Sequence, residues 1–444
     1  MGRLIWKKNK LTSFQIIILG FSGVILFGTF LLMLPFSSSA GIVTPWEDAL
    51  FTSTSAVCVT GLVVYDTATY WSFLGQFIIL LLIQIGGMGV ITVAVSIALI
   101  SGRKISLMQR STMQEAISAP KVGGIVRLTG FIIKVTLLIE LLGAAAMAPV
   151  FCRDFGIRGL WMALFHSVSA FCNAGFDLMG TKEPFSSLTG YAAEPVINLT
   201  IMLLIIIGGI GFLTWDDIRT NRLHFHKYRM QSKVILCTTA LLLLIPAFYF
   251  YFLEFGGLAP GERLLGALFQ SVTPRTAGFN TTDLAALSEA GRCITIVLML
   301  IGGSPGSTAG GMKTTTVAVL CAAAASTFRR KEHTHFFGRR IDDDVVKNAA
   351  TILLMYLILF FFGGLLISIM ERLPMLTCLF EAASAVGTVG LSLGITASLG
   401  IPSRMILILL MFLGRVGGLT LIFAALSGTK RNGLKLPREK ITVG

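Results

Sequence analysis

The sequence predicts an all-α integral membrane protein. It reads as four covalently linked span–pore-helix–span repeats, with eight transmembrane helices and four re-entrant pore loops around one central pore. Three observations predict this. Of 444 residues, 54% are hydrophobic and only 13% are charged, against about 25% charged in a soluble domain. The apolar residues gather in runs near the ~20 residues that a helical span needs. Four short segments between those runs repeat one pattern, and such internal repetition fixes an architecture more firmly than any single motif.

Taken in order, the runs are Phe14–Phe36, Phe73–Ile100, Leu128–Phe151, Val196–Phe212, Val234–Phe252, a run from Ile294 continuing past Gly303, Ala349–Ile369 and Met405–Ala425. The first is too long and too weakly flanked for a cleaved signal peptide, and no A-x-A site follows it. Leu128–Phe151 counts as a span although it holds Lys134 and Glu140. At helical spacing these two lie about 240° apart, so they are not an i,i+4 pair. Glu140 is expected to meet another helix or a dimer partner in a structural role.

The repeated segments are Leu50–Gly61, Leu164–Gly175, Leu268–Gly278 and Leu379–Gly390. Each opens with Leu-Phe and ends with Gly, and Phe and Gly are separated by 10, 10, 9 and 10 residues. Successive glycines lie 114, 103 and 112 residues apart. The second span of each repeat carries a further signature: Ile85-Gly-Gly-Met-Gly89, Ile207-Gly-Gly-Ile-Gly211, Ile301-Gly-Gly-Ser-Pro305 and Leu413-Gly-Arg-Val-Gly417. Small residues there allow close helix approach. The repeats divide the chain at 1–105, 106–220, 221–332 and 333–444.

The segment between the two spans of a repeat is about a dozen residues, too short to cross ~30 Å as a helix. It must enter and leave on the same, outer, side. Non-helical backbone at membrane depth is tolerated only inside protein or beside a water-filled cavity. Four such loops can surround one axis and point carbonyl oxygens inward, and rings of carbonyls replace the hydration shell of a cation. Glycine permits the backbone geometry this needs, and the preceding short helix aims its negative end at the axis. The expected carbonyl donors are Cys58, Val59, Thr60 and Gly61; Cys172, Asn173, Ala174 and Gly175; Thr276, Ala277 and Gly278; and Gly387, Thr388, Val389 and Gly390.

The net charge of +14 is not a nucleic-acid signature, because it is distributed by side. If every run crosses and the N-terminus is cytoplasmic, 25 of the Lys and Arg residues fall on the cytoplasmic face, 7 on the outer face and 4 at membrane depth. That is the positive-inside asymmetry, and it places both termini in the cytoplasm. The seven cysteines show no C-x-x-C spacing, so they read as small apolar residues rather than a disulfide framework or zinc site, with Cys152 a candidate free thiol.

These strings, with Asp48–Leu62, Gln84–Gly89, Thr273-Pro-Arg-Thr-Ala-Gly-Phe-Asn280 and Gly302–Lys313, resemble the Trk/Ktr/HKT superfamily of K⁺ transporters over essentially the whole chain. The first run opens repeat 1 directly, without the two further N-terminal spans usual in Trk-type proteins. The resemblance is therefore closest to a bacterial KtrB-type membrane subunit. It implies K⁺ uptake across the bacterial cytoplasmic membrane, a homodimer with one pore per protomer, and a cytoplasmic ring of RCK-type subunits (KtrA- or KtrC-like) that binds ATP, ADP or another nucleotide. It also implies frequent Na⁺ dependence. Glycine at all four filter positions goes with acceptance of K⁺ in the superfamily, while serine in the first goes with Na⁺. The four filter strings differ in sequence, so the carbonyl ring should be less regular than in a true tetramer.

The segment Gly302, Gly303, Ser304, Pro305, Gly306, Ser307, Thr308, Ala309, Gly310 and Gly311 interrupts the third repeat's second span. Five glycines and a proline cannot hold a stable helix there. The alternatives are a bare structural break or a mobile constriction below the filter; in the superfamily it is an intramembrane gating loop. Arg415, inside the last span, costs ~2.5–3.5 kcal/mol on insertion scales and should face a cavity or a partner. It either raises a barrier in the pore, hydrogen-bonds the loop carbonyls or pairs with a carboxylate on another helix. Lys313 anchors the end of the loop. Asp66, Asp177 and Asp283 follow three of the filters, and either gather cations at the outer mouth or cap local turns. His166 is expected to pack behind the filter.

Two other classes are weighed. A secondary transporter with broken helices fits the third repeat, but such transporters usually show two halves rather than four parallel repeats. An intramembrane enzyme needs a nucleophile–base pair or metal ligands, and neither H-E-x-x-H nor G-x-S-x-G occurs in context. No nucleotide-binding G-x-G-x-x-G unit is present, so no organic cofactor is expected on this chain.

Overall fold

The computed structural model describes residues 12–100, 105–117, 123–181, 183–222 and 224–417. Repeat 1 contains α1 (Ser13–Met33), α2 (Trp46–Val57), α3 (Thr67–Tyr70), α4 (Phe73–Met88) and α5 (Val90–Ile100). After α6 (Leu107–Ile117), repeat 2 contains α7 (Ile125–Phe155), α8 (Arg158–Phe171), α9 (Pro195–Gly209) and α10 (Phe212–Asn221). Repeat 3 contains α11 (Met230–Tyr249), α12 (Pro260–Val272), α13 (Glu289–Leu300) and α14 (Thr314–Phe328). A two-stranded antiparallel hairpin, β1 (His335–Phe336) and β2 (Arg339–Arg340), leads to repeat 4: α15 (Asp343–Glu371), α16 (Met375–Gly387) and α17 (Ile401–Val416).

The helix starts follow from local chemistry. Thr12 and Gln15 form a capping box on α1, while Ser72 and Ser288 cap α4 and α13. Prolines stand in the first turn of α9, α12 and α17, where the missing N–H costs nothing. The first spans are long and apolar: α1, α7, α11 with its terminal π turn, and α15. Their outward faces expose residues such as Leu137, Leu138, Leu141 and Leu142, as lipid-facing helices must. The pore helices α2, α8, α12 and α16 have 12, 14, 13 and 13 residues. At 1.5 Å per residue they reach about 20 Å, two-thirds of a bilayer core.

The second span of repeat 1 differs from the unbroken helix that the run Phe73–Ile100 predicts, and in repeat 2 the chain turns where the apolar run ends. The chain bends by 100° between α4 and α5 and by 96° between α9 and α10. The cause is the last glycine of the two signatures: Gly89 and Gly211 have φ of 85° and 91°, a region that favours glycine and stops a helix, and Gly417, at φ 85°, ends α17 in the same way. In repeat 3 the position holds Pro305, and an open loop separates α13 from α14. The first glycine of the signature has the packing role expected of it. A Cβ on Gly86, Gly208 or Gly414 would lie 2.1, 2.0 or 2.1 Å from the carbonyl oxygens of Val57, Phe171 and Val386 at the ends of three pore helices. The eighth run beyond Gly417, the N-terminal Arg3, Lys7, Lys8 and Lys10, and the basic C-terminal segment lie outside the described residues.

The core surrounds the four pore helices. The repeated phenylalanines Phe51, Phe165, Phe269 and Phe380 are all fully buried. Between lipid-solvated helices this burial gains packing rather than hydrophobic free energy, and it registers each pore helix against its neighbours.

Candidate functional site: a four-glycine ring above an intramembrane loop

The four segment-ending glycines meet. A Cβ on Gly61 would lie 2.4 Å from the Ala174 carbonyl oxygen, on Gly175 2.7 Å from that of Ala277, on Gly278 2.4 Å from that of Val389, and on Gly390 2.2 Å from that of Thr60. The contacts run 61 to 175 to 278 to 390 and back to 61, so the ring closes. All four glycines have positive φ, at 95°, 68°, 80° and 93°. Two residues earlier, Val59, Asn173, Thr276 and Thr388 also have positive φ, at 58°, 60°, 68° and 52°. Thr60, Ala174, Ala277 and Val389 between them do not. Alternating handedness turns successive carbonyls to one side of the strand. Left-handed conformations in non-glycine residues are strained and persist only where the surroundings hold them.

The surroundings do hold them. Four residues after each repeated Phe stands a hydroxyl: Ser55, Ser169, Thr273 and Ser384. The Gly61 N–H donates to Ser55 Oγ and the Gly390 N–H to Ser384 Oγ, each at 3.0 Å. Ser169 Oγ donates to the Phe176 carbonyl at 2.7 Å, and Thr273 Oγ1 donates to that of Phe279. The backbone N–H groups of Thr60, Ala174, Ala277 and Val389 donate to the carbonyls of the same four hydroxyl residues. The pseudo-fourfold pattern therefore extends to individual hydrogen bonds. Cys58 and Cys172 sit at the helical ends of α2 and α8, and Gly387 is the last residue of α16. The extended part of the loops in repeats 1, 2 and 4 is thus shorter than the sequence strings suggest.

Above the ring lies a cavity of about 300 Å³, lined by the four glycines and by Asp66, Asp177 and Asp283. Asp66 caps α3 through the Ala68 and Thr69 N–H groups and also accepts from the Phe185 N–H at 3.0 Å. Asp283 accepts from the Ala285 N–H, and Asp177 from that of Met179. The capping alternative is present in the geometry, and all three still border the cavity. Burial raises the Asp177 carboxyl to about 7, with the Asp66 charge adding to the effect and the Met179 N–H opposing it.

Below the ring lies the segment Gly302–Gly311. Thr308 Oγ1 donates to the Phe171 carbonyl and pairs with Asn173 Oδ1, both at 3.1 Å. A Cβ on Gly310 would lie 2.2 Å from Thr388 Oγ1, and one on Gly311 2.8 Å from the Gly387 oxygen. The segment is tied to the α9–α10 elbow: Ser304 N–H to Gly209 O at 2.9 Å, Thr308 N–H to Gly208 O at 3.3 Å, and Phe212 N–H to Gly306 O at 2.7 Å. Its composition alone suggests a looser loop. Ser307 Oγ donates to the Ser304 carbonyl at 2.7 Å, and Ser304 and Thr314 pair their hydroxyls at 3.2 Å. Beneath it is a second cavity of about 240 Å³, bordered by Gly306, Ser307, Ala309, Gly311, Lys313, Arg415 and α6 residues Glu115 and Ile117. The segment separates the two cavities.

Arg415 donates to the carbonyls of Thr308 and Gly86, and to that of Gly87 at 3.3 Å. Lys313 Nζ donates to the carbonyls of Ala309 and Gly310 at 2.8 and 3.3 Å. Neither cation has a carboxylate partner among the described residues, so the carbonyl alternative for Arg415 matches the geometry. Glu140 meets another helix: Gln84 Nε2 of α4 donates to it at 3.2 Å, and Cys172 Sγ lies 4.0 Å away. His166 is fully buried behind the second loop.

One ion pair was not legible in the sequence. Arg404 of α17 meets Asp48 of α2 at 2.5 Å, and Tyr65 donates to the same carboxylate at 2.7 Å. The two residues lie 356 positions apart, and no local pattern joins them. No group of three or more His, Cys, Asp or Glu able to hold a metal ion occurs among the described residues.

With that geometry in place, the likenesses to known proteins fall into one line. The family model for TrkH, a cation transport protein, matches residues 7–430. The potassium/sodium uptake protein NtpJ of Enterococcus hirae is 40% identical, over 98% of this chain and 98% of its own. The Ktr system potassium uptake protein B of Bacillus subtilis is 37% identical, over 98% and 97%. The crystal structure of the potassium transporter TrkH from Vibrio parahaemolyticus has a TM-score of 0.73 at 21% identity and covers 94% of this chain and 86% of its own.

Proposed function

The chain belongs to the TrkH family of cation transport proteins, and from that premise we propose that it carries K⁺ into a bacterial cell through the glycine ring. Its nearly full-length relatives are named for potassium uptake. The observation that carries the residue-level reading is the closed sequence of contacts among Gly61, Gly175, Gly278 and Gly390. Four carbonyl strands converge there, between an acid-lined outer cavity and an inner one, and such rings replace the hydration shell of a cation. The filter is the set of backbone carbonyls leading to those glycines, one string from each of the four sequence repeats. A dehydrated K⁺ passing it next meets Gly302–Gly311, which acts as the gate. Lys313 and Arg415 pin the gate by donating to its carbonyls, and their charge raises the barrier to a cation.

The same reading takes the protein as a multi-pass cytoplasmic-membrane protein with both termini inside, a homodimer, and the membrane partner of a nucleotide-binding RCK-type ring. Na⁺ is a candidate second ion, since one relative is named for both potassium and sodium uptake. The test is Rb⁺ and Na⁺ flux into liposomes holding the purified protein, together with growth of a K⁺-uptake-deficient cell, with and without an RCK partner. Rb⁺ uptake that exceeds Na⁺ uptake and rescues growth supports the proposal. Absence of Rb⁺ flux from folded protein under both conditions removes it.

A further inference from the structure

The polar residue after the repeated Leu-Phe differs in every repeat: Thr52, His166, Gln270 and Glu381. All four are buried, yet they do different things. His166 Nε2 accepts from the Leu178 N–H at 3.3 Å, and its Nδ1 lies 2.7 Å from the Met162 carbonyl oxygen. A ring that accepts at Nε2 carries its proton on Nδ1, where the carbonyl receives it, so this imidazole is neutral. Glu381 Oε1 accepts from the Leu393 N–H at 3.0 Å and from Ser392 Oγ at 2.6 Å, while Oε2 accepts from Thr396 Oγ1 at 2.8 Å. Leu178 and Leu393 are each the third residue after a ring glycine, Gly175 and Gly390. The bond is therefore the same in repeats 2 and 4. In repeat 1 Thr52 turns back to the Asp48 carbonyl of its own helix, and in repeat 3 Gln270 reaches only Thr295 of α13, at 3.5 Å.

We propose that His166 and Glu381 are positioning residues of the filter. From behind the pore helices they hold the strands that leave the ring in repeats 2 and 4, two opposite sides of the four. The proposal rests on reading the ring as the K⁺ filter. A carbonyl ring discriminates by how well its oxygens replace the shell of one ion and not of a smaller one. Two opposite strands pinned from this position cannot close inward around Na⁺; the strand leaving Gly278 in repeat 3 is held instead by the Thr273 hydroxyl on the Phe279 carbonyl and by Ser187 Oγ, which accepts from the Asn280 N–H at 3.2 Å. Glu381 matters more, since it holds its strand through three hydrogen bonds, from Ser392, Leu393 and Thr396, where His166 makes one to Leu178.

The experiment compares Rb⁺ and Na⁺ uptake by liposomes holding the full-length protein as wild type, Glu381→Ala, Glu381→Gln, His166→Leu, Thr52→Val and the pair Ser392→Ala with Thr396→Val. Thermal unfolding of each is followed in the same preparation. Glu381→Ala should lower the Rb⁺:Na⁺ ratio about tenfold, the ratio that the loss of one hydrogen bond commands. Glu381→Gln, which keeps an acceptor oxygen, should fall between it and wild type. His166→Leu and the loop pair should lower the ratio in the same direction, and Thr52→Val should leave it unchanged. The loop pair keeps the test open if Glu381→Ala does not fold. A wild-type ratio in the folded loop pair or in folded Glu381→Ala overturns the brace. Gly390→Ser run in parallel separates the two readings: if it also leaves the ratio unchanged, the filter assignment falls; if it lowers the ratio while the brace variants do not, only the brace falls.

Discussion

A methyl group decides whether the ring can exist. A Cβ at Gly61 meets the Ala174 oxygen at 2.4 Å, and the positive φ adds a conformational cost of about 1–2 kcal/mol for an L-residue. Gly61→Ser should therefore lower the Rb⁺:Na⁺ uptake ratio, measured in parallel flux assays. Unchanged selectivity in folded protein with serine at all four glycines would remove the filter assignment. In the cavity above the ring, burial raises Asp177 to about 7, with the Met179 N–H opposing and the Asp66 charge adding to the effect. It is then mostly neutral at pH 6 and mostly ionised at pH 8. Uptake from sub-saturating Rb⁺ should rise as external pH rises through 7, because the ionised form attracts cations to the cavity, and Asp177→Asn should flatten that limb of the profile. A midpoint that survives in the asparagine variant assigns the titration to another group. The linkage has the opposite sign for stability: a carboxyl whose folded value is raised is disfavoured in its charged form, so Asp177 weakens the fold as pH climbs from about 4 to 7. The four glycines were legible because they repeat at nearly constant spacing from a Leu-Phe pair. The hydroxyls behind them recur just as regularly at Phe plus four, and aligning the repeats column by column exposes that signal, with the Thr52, His166, Gln270 and Glu381 column beside it.

At the scale of elements, first spans and pore helices were legible from length and hydropathy alone, while the bend inside the second span of repeat 1 was not. The apolar run continues unchanged across Gly89, and a glycine inside an apolar run reads equally as a packing position or a helix stop; at Gly211 the apolar run itself ends, and the charged residues Asp216, Asp217 and Arg219 follow. Packing and stopping turned out to fall on different glycines of one signature. The loop in repeat 3 was legible because five glycines and a proline leave no helical alternative. Its attachments were not, since they come from the α9–α10 elbow, about a hundred residues earlier. Those attachments sharpen the gate prediction. The loop is held by backbone bonds to Gly208, Gly209 and Phe212, and by Arg415 and Lys313 from the other side. Shortening Gly302–Gly311 should raise Rb⁺ flux and reduce its dependence on a regulatory subunit, with selectivity close to wild type because the carbonyl ring is untouched. Arg415→Ala should act in the same direction but less strongly, because the loop still occupies the space between the cavities. A folded loop deletion that conducts no faster than wild type would make the segment a structural break and nothing more.

For the whole molecule, two predictions concern how four repeats become one pore. The first is orientation. Glu183, exposed in the loop after Gly175, and Glu332, exposed before the β1–β2 hairpin, lie on opposite faces if the charge asymmetry reads the topology correctly. In a cysteine-free background, a membrane-impermeant thiol reagent added to intact cells should label Glu183→Cys and miss Glu332→Cys; the reverse pattern inverts the topology. The second concerns closure. Peptide bonds join repeat 1 to 2, 2 to 3 and 3 to 4, but none joins 4 back to 1, and a ring cut at one junction can open there. Arg404 of α17 and Asp48 of α2 span that junction at 2.5 Å, with side-chain exposures of 15% and 7%. A surface pair contributes about 0–1 kcal/mol, whereas stranding one member of a buried pair costs about 3–5 kcal/mol. The low exposure puts this pair in the second class. Arg404→Ala leaves Asp48 with only the Tyr65 hydroxyl as a side-chain donor among the described residues, so it should lower the melting temperature and loosen K⁺ selectivity together, as the Gly390 and Gly61 strands separate. Asp48→Asn with Arg404→Gln removes both charges, keeps polar contacts across the junction, and should recover most of the stability. If Arg404→Ala melts with wild type, packing between α17 and α2 closes the ring unaided and the ion pair is dispensable.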